Sequence, residues 1–326
     1  MRRTAARERA LTGAAVYRGM DQATLDRQYS PSSRVPSLTA YLSEYARLST
    51  AARRDHPVRT GLAYGTHPAE LLDYFPSAAP GRPPLLVFVH GGNWQALGRA
   101  ESAFTAPPLL AAGAAVAVVE YGLAPDVGLD TMAGMVRRAV DWLLRHADRL
   151  GFAADRLHLC GTSAGAHLAA MALLPGPWHG PDVSRRIAGA VLLSGMYDLE
   201  PIRLSYVNEA LRLDEAGARR NSPLHLLPAR LPPVVAARGG NETEEYVRQH
   251  EQMVTALRPR AAVTEVVAER RDHFSLPYEL GLRGTELGDA VLAQMDLGGQ
   301  TEPRGQTEPR GQTDLGGQMD LGGTTA

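Results

Sequence analysis

Residues 156–171 read RLHLCGTSAGAHLAAM. The run LHLC is short and apolar and ends on a glycine, which reads as a buried strand. From Ala164 onward, small and apolar residues fit a helix. Between the two, Gly161-Thr162-Ser163-Ala164-Gly165 has the form G-x-S-x-G. In a strand–turn–helix setting this pattern makes a nucleophile elbow. The reason is steric. Small neighbours let the chain fold back tightly, so the Ser163 hydroxyl stands clear at the tip of a sheet with a helix N-terminus behind it.

Working outward, short apolar runs recur. They are PPLLVFVH ending at His90, AAVAVVEYG (114–122), IAGAVLLSG (187–195), PPVVAARGG (232–240) and AAVTEVVAE (261–269). Helical patterns lie between them. In 131–150, Met132, Met135, Val136, Ala139, Val140, Leu143, Leu144 and Ala147 share one face. Residues 164–173 and 242–258 also read as helices. Strands without polar alternation, separated by helices, predict a parallel sheet covered on both faces. Residues 59–65 and 70–76 add an expected antiparallel pair at one edge. The stretches 21–54 and 198–222 break the alternation. Both are placed to cover the carboxyl ends of the strands, where ligands sit in such sheets.

A second element matches the elbow. His90-Gly91-Gly92-Asn93-Trp94 closes an earlier strand, about 70 residues before Ser163. An HGG segment in that place supplies the second donor of an oxyanion hole. The main-chain N–H groups of Gly92, Asn93 and Ala164 are therefore the expected donors, and losing one costs about 3–4 kcal/mol of barrier. Chain order then locates the rest of a triad: nucleophile, acid, histidine. After the run 232–240 come Asn241-Glu242-Thr243-Glu244-Glu245. Asn241 is no carboxylate, so Glu242, Glu244 and Glu245 all stay open on spacing. After the last run comes Arg271-Asp272-His273-Phe274, which makes His273 the expected base. His90 precedes the nucleophile and reads as scaffold. His167, one turn beyond Ser163, reads as structural. Cys160 reads as a buried strand residue beside the elbow.

Composition narrows the chemistry. All 34 basic residues are Arg, balanced by 35 Asp and Glu for a net charge of -1. Without Lys there is no P-loop, no pyridoxal Schiff base and no kinase strand Lys. A near-zero charge predicts no nucleic acid partner and no polybasic membrane anchor. No stretch has the length of a membrane span. One Cys, no CxxC and no HExxH give no support for a zinc site. Residues 1–19 are basic, with a weak apolar patch cut by Arg18, and read as a disordered extension rather than a signal peptide. From Gln294 to Gly323 a six-residue unit (QMDLGG, QTEPRG, QTEPRG, QTDLGG, QMDLGG) repeats five times. So few apolar residues cannot offset the cost of ordering the chain, so 294–326 reads as a disordered tail and 20–293 as the folded domain. The expected compartment is the cytoplasm.

The chain resembles the kynurenine formamidase (arylformamidase) family of the α/β-hydrolase superfamily over nearly all of 20–293. The resemblance rests on MDQATLDRQYSP, LAYG, LLDYFP, HGGNW, EYGLAP, GTSAGAHLAAM, SGMYDLEP, NEALRLDEAGARRNSP, GGNETEEYVRQ and RDHFSL. It implies an α/β-hydrolase fold: a mostly parallel sheet, helices on both faces and a small cap. It implies Ser163 as nucleophile, His273 as base and Glu242 as acid, which chooses among the three glutamates. It implies hydrolysis of an N-formyl arylamine, N-formyl-L-kynurenine above all, with a small molecule as partner and no cofactor or metal. Trp94 and Tyr121, at strand ends, are the expected stacking partners of the aryl ring. Asn93 departs from the family, where an aromatic residue usually follows HGG. Its donor is main-chain, so the departure bears on substrate fit. Two alternatives use the same triad: a broad carboxylesterase, and a hydrolase of another small biosynthetic metabolite. The sequence leaves the oligomeric state open, a homodimer included.

Overall fold

A computed structural model of the chain describes residues 14–176 and 180–298. An eight-stranded sheet forms its centre, in the order β1-β2-β4-β3-β5-β6-β7-β8. The strands are β1 Arg59–Ala63, β2 Leu71–Phe75, β3 Leu85–Val89, β4 Ala115–Val119, β5 Leu157–Thr162, β6 Gly189–Leu193, β7 Val234–Asn241 and β8 Val263–Asp272. Each apolar run quoted above lands on one of β3 to β8. β2 runs antiparallel to both its neighbours, β1 and β4, and the other pairings are parallel, so the expected edge pair is present. β3, β4 and β6 are buried at every residue, which is why their sequences carry no polar alternation. β1 is exposed, short and irregular in register, which blunts the edge against further pairing.

Among the described residues, the helices of seven or more residues are α1 Gln22–Gln28, α2 Leu38–Asp55, α3 Leu129–Arg145, α4 Ala164–Ala172, α5 Glu244–Leu257 and α6 Glu286–Gln294. Asp21, Ser37 and Thr285 cap α1, α2 and α6 by accepting main-chain N–H bonds. Helix α3 buries the predicted face and stops at His146. A short turn, Ala147–Leu150, follows and closes on Gly151 at φ 83°. Between β6 and β7 lie short helical turns, Glu200–Leu204, Asn208–Leu211 and Glu215–Arg220. These and α2 lie over the carboxyl ends of the strands, as the broken alternation in both stretches predicts.

Two expected boundaries move. Tyr17 pairs with Met20 and packs against the core, so the ordered chain begins before Met20. Gln294 still belongs to α6, and Met295 is fully buried at the amino ends of the strands. There the Gln294 side chain donates to the carbonyls of Ala190 and Pro233, and Arg156 donates to that of Met295. The first repeat thus begins inside the domain: its Met is an apolar residue with a waiting slot, which composition alone does not reveal. The remainder of the two expected disordered segments, 1–13 and 299–326, lies outside the described residues.

Candidate active site

Four neighbouring parallel strands each present a polar side chain on the first residue past their carboxyl ends. Ser163 follows β5, Ser194 follows β6, Glu242 follows β7 and His273 follows β8. Parallel alignment puts these four residues along one rim of the sheet.

Ser163 holds φ 55°, ψ -121°, a conformation that favours glycine. Two close approaches enforce it. A Cβ on Gly161 would lie 2.1 Å from the Gly165 carbonyl oxygen, and one on Gly165 would lie 2.1 Å from that of Val89. Both glycines of the motif are therefore needed for the turn to pack against β3. The Ser163 amide donates to the Leu193 carbonyl at 2.8 Å, tying the elbow to β6.

Nδ1 of His273 lies 3.1 Å and 3.3 Å from the two carboxylate oxygens of Glu242. Both residues are buried. Of the three glutamates, only Glu242 makes this contact. Glu244 is exposed. Glu245 is held by Arg248 at 2.6 Å and by the Tyr29 hydroxyl at 2.8 Å. The farther of the two Glu242 oxygens, Oε1, also accepts the Ser194 hydroxyl at 2.6 Å. The ring of Tyr246 packs edge-on against His273, with centroids 4.7 Å apart, and its hydroxyl donates to the Met196 sulfur at 3.3 Å. Burial pushes that phenol far above its ordinary acidity range, so it stays protonated. The loop carrying His273 is fixed by Asp272. Its carboxylate accepts the amides of Phe274 and Ser275 and the Tyr41 hydroxyl at 2.7 Å. Although burial works against it, these bonds hold the Asp272 carboxyl below its ordinary range.

Ser163 and His273 open onto one cavity of about 230 Å³. Its walls are Gly91, Gly92, Asn93, Ala96, Leu97 and Thr162 from the sheet side. Pro31, Ser32, Leu38, Leu42, Tyr45, Tyr206 and Phe274 close it from above. None of these wall residues is charged. Gly92 at φ 102° and Asn93 at φ 52° turn the HGGN loop towards Ser163, and a Cβ on Gly92 would fall 2.0 Å from the Ala96 oxygen. Among the described residues, the amides of Gly92, Asn93 and Ala164 donate to no main-chain carbonyl, which leaves three donors beside the Ser163 hydroxyl.

Two expected substrate contacts are elsewhere. Trp94 is fully buried, and its indole N–H donates to Nδ1 of His167 at 3.3 Å. Nε2 of His167 in turn donates to the Asn221 carbonyl at 2.8 Å. Burial lowers the His167 pKa to about 4 and keeps the ring neutral. Tyr121 is also buried. It stacks on His90 at 4.2 Å and donates to the His90 carbonyl at 2.9 Å. Both rings brace the HGGN loop from below, and neither lines the cavity. His90 is scaffold as expected, with Nε2 3.2 Å from Glu120. The aromatic walls are instead Tyr45, Tyr206 and Phe274. Sequence reasoning also missed Ser194 and Tyr246. A serine directly after a predicted strand was the available signal for the first.

A serine at a strained elbow, a buried Glu–His pair and free amides on a 12435678-type sheet define an α/β hydrolase. Solved structures agree. A putative thioesterase from Silicibacter sp. TM1040 superposes with a TM-score of 0.73 at 26% identity, covering 82% of this chain and 98% of its own. Esterase B of Lactobacillus rhamnosis superposes at 0.66 and 18% identity, a likeness of fold. Residues 72–178 match the BD-FAE family. Sequence relatives are more particular. Kynurenine formamidase of Danio rerio is 37% identical over 278 residues, covering 81% of this chain and 93% of the relative. That of Salmo salar is 35% identical over the same shares. The chain belongs to the kynurenine formamidase family.

Proposed function

We propose that the chain hydrolyses N-formyl arylamines, N-formyl-L-kynurenine foremost, to the free arylamine and formate. The observation that carries this reading is His273, paired with the buried Glu242, opening onto the same small cavity of uncharged walls as Ser163, in a chain of this family. Ser163 is the nucleophile and attacks the formyl carbon. His273 takes its proton through Nε2, while Glu242 orients the ring and stabilises the imidazolium. The tetrahedral oxyanion lies against the amides of Gly92, Asn93 and Ala164. His273 then protonates the leaving aniline nitrogen, and water releases formate from the formyl-enzyme by the same groups in reverse order. A formyl carbonyl is compact and an aniline leaves more easily than an alkylamine, so a small site suffices.

The uncharged walls favour the aryl formamide part of the substrate. Burying an unpaired carboxylate would cost several kcal/mol, so an amino-acid zwitterion belongs at the solvent mouth. The reaction is expected to need no cofactor and to take place in the cytoplasm. Among the described residues, no helix is long and apolar enough to cross a membrane.

The test is formate release, with kcat/KM for N-formyl-L-kynurenine set against phenyl acetate. A preference of about tenfold or more for the formamide is expected. A preference for the ester would replace this reading with that of a broad carboxylesterase.

A further inference from the structure

Four consecutive strands place Ser163, Ser194, Glu242 and His273 on one rim, and the proposed mechanism uses three of them. Ser194 is the fourth. It is buried, with 2% of its surface exposed, and it holds φ 46°. A serine in that left-handed conformation is strained by about 1–2 kcal/mol relative to glycine. What the strained turn delivers is the hydroxyl: Oγ lies 2.6 Å from Oε1 of Glu242. The Ser194 amide donates to the Ala237 carbonyl of β7 at 2.8 Å, as the Ser163 amide donates to Leu193 of β6. The main chain at Ser194 is therefore pinned to the strand that carries the acid.

We propose that Ser194 is a positioning residue that acts through Glu242; the assignment rests on the triad reading given above. The Glu242 side chain is fully buried and its carboxylate receives two side-chain donors, Ser194 and His273. A buried carboxylate with a donor withdrawn is both under-solvated and free to rotate. With Oε1 committed to Ser194, the carboxylate plane is fixed and Oε2 is presented to Nδ1 of His273. Ring orientation, and so the direction of Nε2 towards Ser163, depends on that plane. Charge-assisted hydrogen bonds of this kind are short and about twice as strong as neutral ones.

The readout is the rate at which a fluorophosphonate probe labels Ser163, which requires an activated nucleophile and no knowledge of the substrate. Ser194→Ala is expected to slow labelling roughly ten- to a hundredfold. Ser194→Gly relieves the backbone conformation and still removes the hydroxyl. It should be at least as stable as Ser194→Ala in urea, yet just as slow. In a Glu242→Ala background, Ser194→Ala should change the labelling rate by less than about twofold, because the group it acts through is gone. Labelling of Ser194→Ala at the wild-type rate would overturn the assignment. So would a rate that follows stability across the Ala and Gly variants, or an undiminished effect in the Glu242→Ala background. Should the wild-type chain itself resist the probe, the triad reading falls and the assignment falls with it. A labelled wild type beside an equally labelled Ser194→Ala removes the assignment alone.

Discussion

The two ends of the same sheet follow opposite rules. At the carboxyl ends the backbone is held in uncomfortable shapes. Asn93, Trp94, Leu97, Ser163 and Ser194 there are five of the eight non-glycine residues with positive φ among those described. Polar groups are buried at this end, and three amides are left without main-chain acceptors. At the amino ends the chain closes by ordinary packing. Met295 fills a slot, Gln294 caps two carbonyls, and the buried His158 sits against Gly189 and Gln294. The contrast locates function more sharply than any single motif. Strain of this kind persists only where surrounding structure over-determines it, and it gathers at the carboxyl rim, against one such residue, Asp296 at φ 55°, beside Met295 at the floor.

That contrast can be broken most severely at Ser163. Ser163→Ala should lower kcat by about 10⁴-fold or more while leaving the urea midpoint nearly unchanged. An unreduced formate-release rate would remove it as nucleophile. Next is Gly92→Ala. Its Cβ would collide with the Ala96 oxygen at 2.0 Å, so the loop must shift and the proposed oxyanion donors with it. A loss of about 10²–10³-fold in kcat is expected, against little change in KM; full activity would show that the HGGN amides are not used.

Acidification tests the relaxed side as well as the scaffold beneath the site. Burial lowers the pKa of both His158 and His167 to about 4. In the unfolded chain each titrates near 6.5. Between those values the unfolded state takes up protons that the folded state refuses, so the contribution is intact above about pH 6.5 and lost as pH falls towards 4. On the order of 2 kcal/mol for each should be missing at pH 5 relative to pH 7 in urea unfolding. An unchanged midpoint would mean that these rings protonate without cost in the fold. The smallest effect is at Trp94. Trp94→Phe leaves Nδ1 of His167 unpartnered and should cost about 1–2 kcal/mol of stability, with KM within about twofold. A tenfold rise in KM with stability kept would return the indole to the substrate side.

Much of this was legible in the chain itself, and the reasons are specific. β3 to β8 announced themselves because strands buried on both faces leave no room for polar alternation. That Ser163, a carboxylate and His273 would come to one rim of the sheet was legible because each follows a strand. Which carboxylate reaches His273 was not legible from spacing. Three glutamates stand within four residues, and what separates them is that Arg248 and Tyr29 occupy Glu245 while Glu244 faces solvent. Trp94 and Tyr121 were misplaced because a position at a strand end does not say on which side of the loop a ring turns. The upper wall of the cavity comes largely from 21–54, with Tyr206 from 198–222, the two stretches that break the alternation, where sequence has least to say about which side chains face inwards. Ser194 carried its signal one residue past a strand, but its worth depends on register with β7, which only three-dimensional alignment supplies.

The burial of Met295 has a practical corollary. Shortening the protein at residue 293 would strip two side chains out of the packed floor of the domain; a cut after Gly298 spares them. Because Gly298 sits at the floor while the cavity opens at the opposite rim, attaching a chain cut after Gly298 to a solid support through that residue would present the mouth outward, ready for flow-through assay or immobilised use.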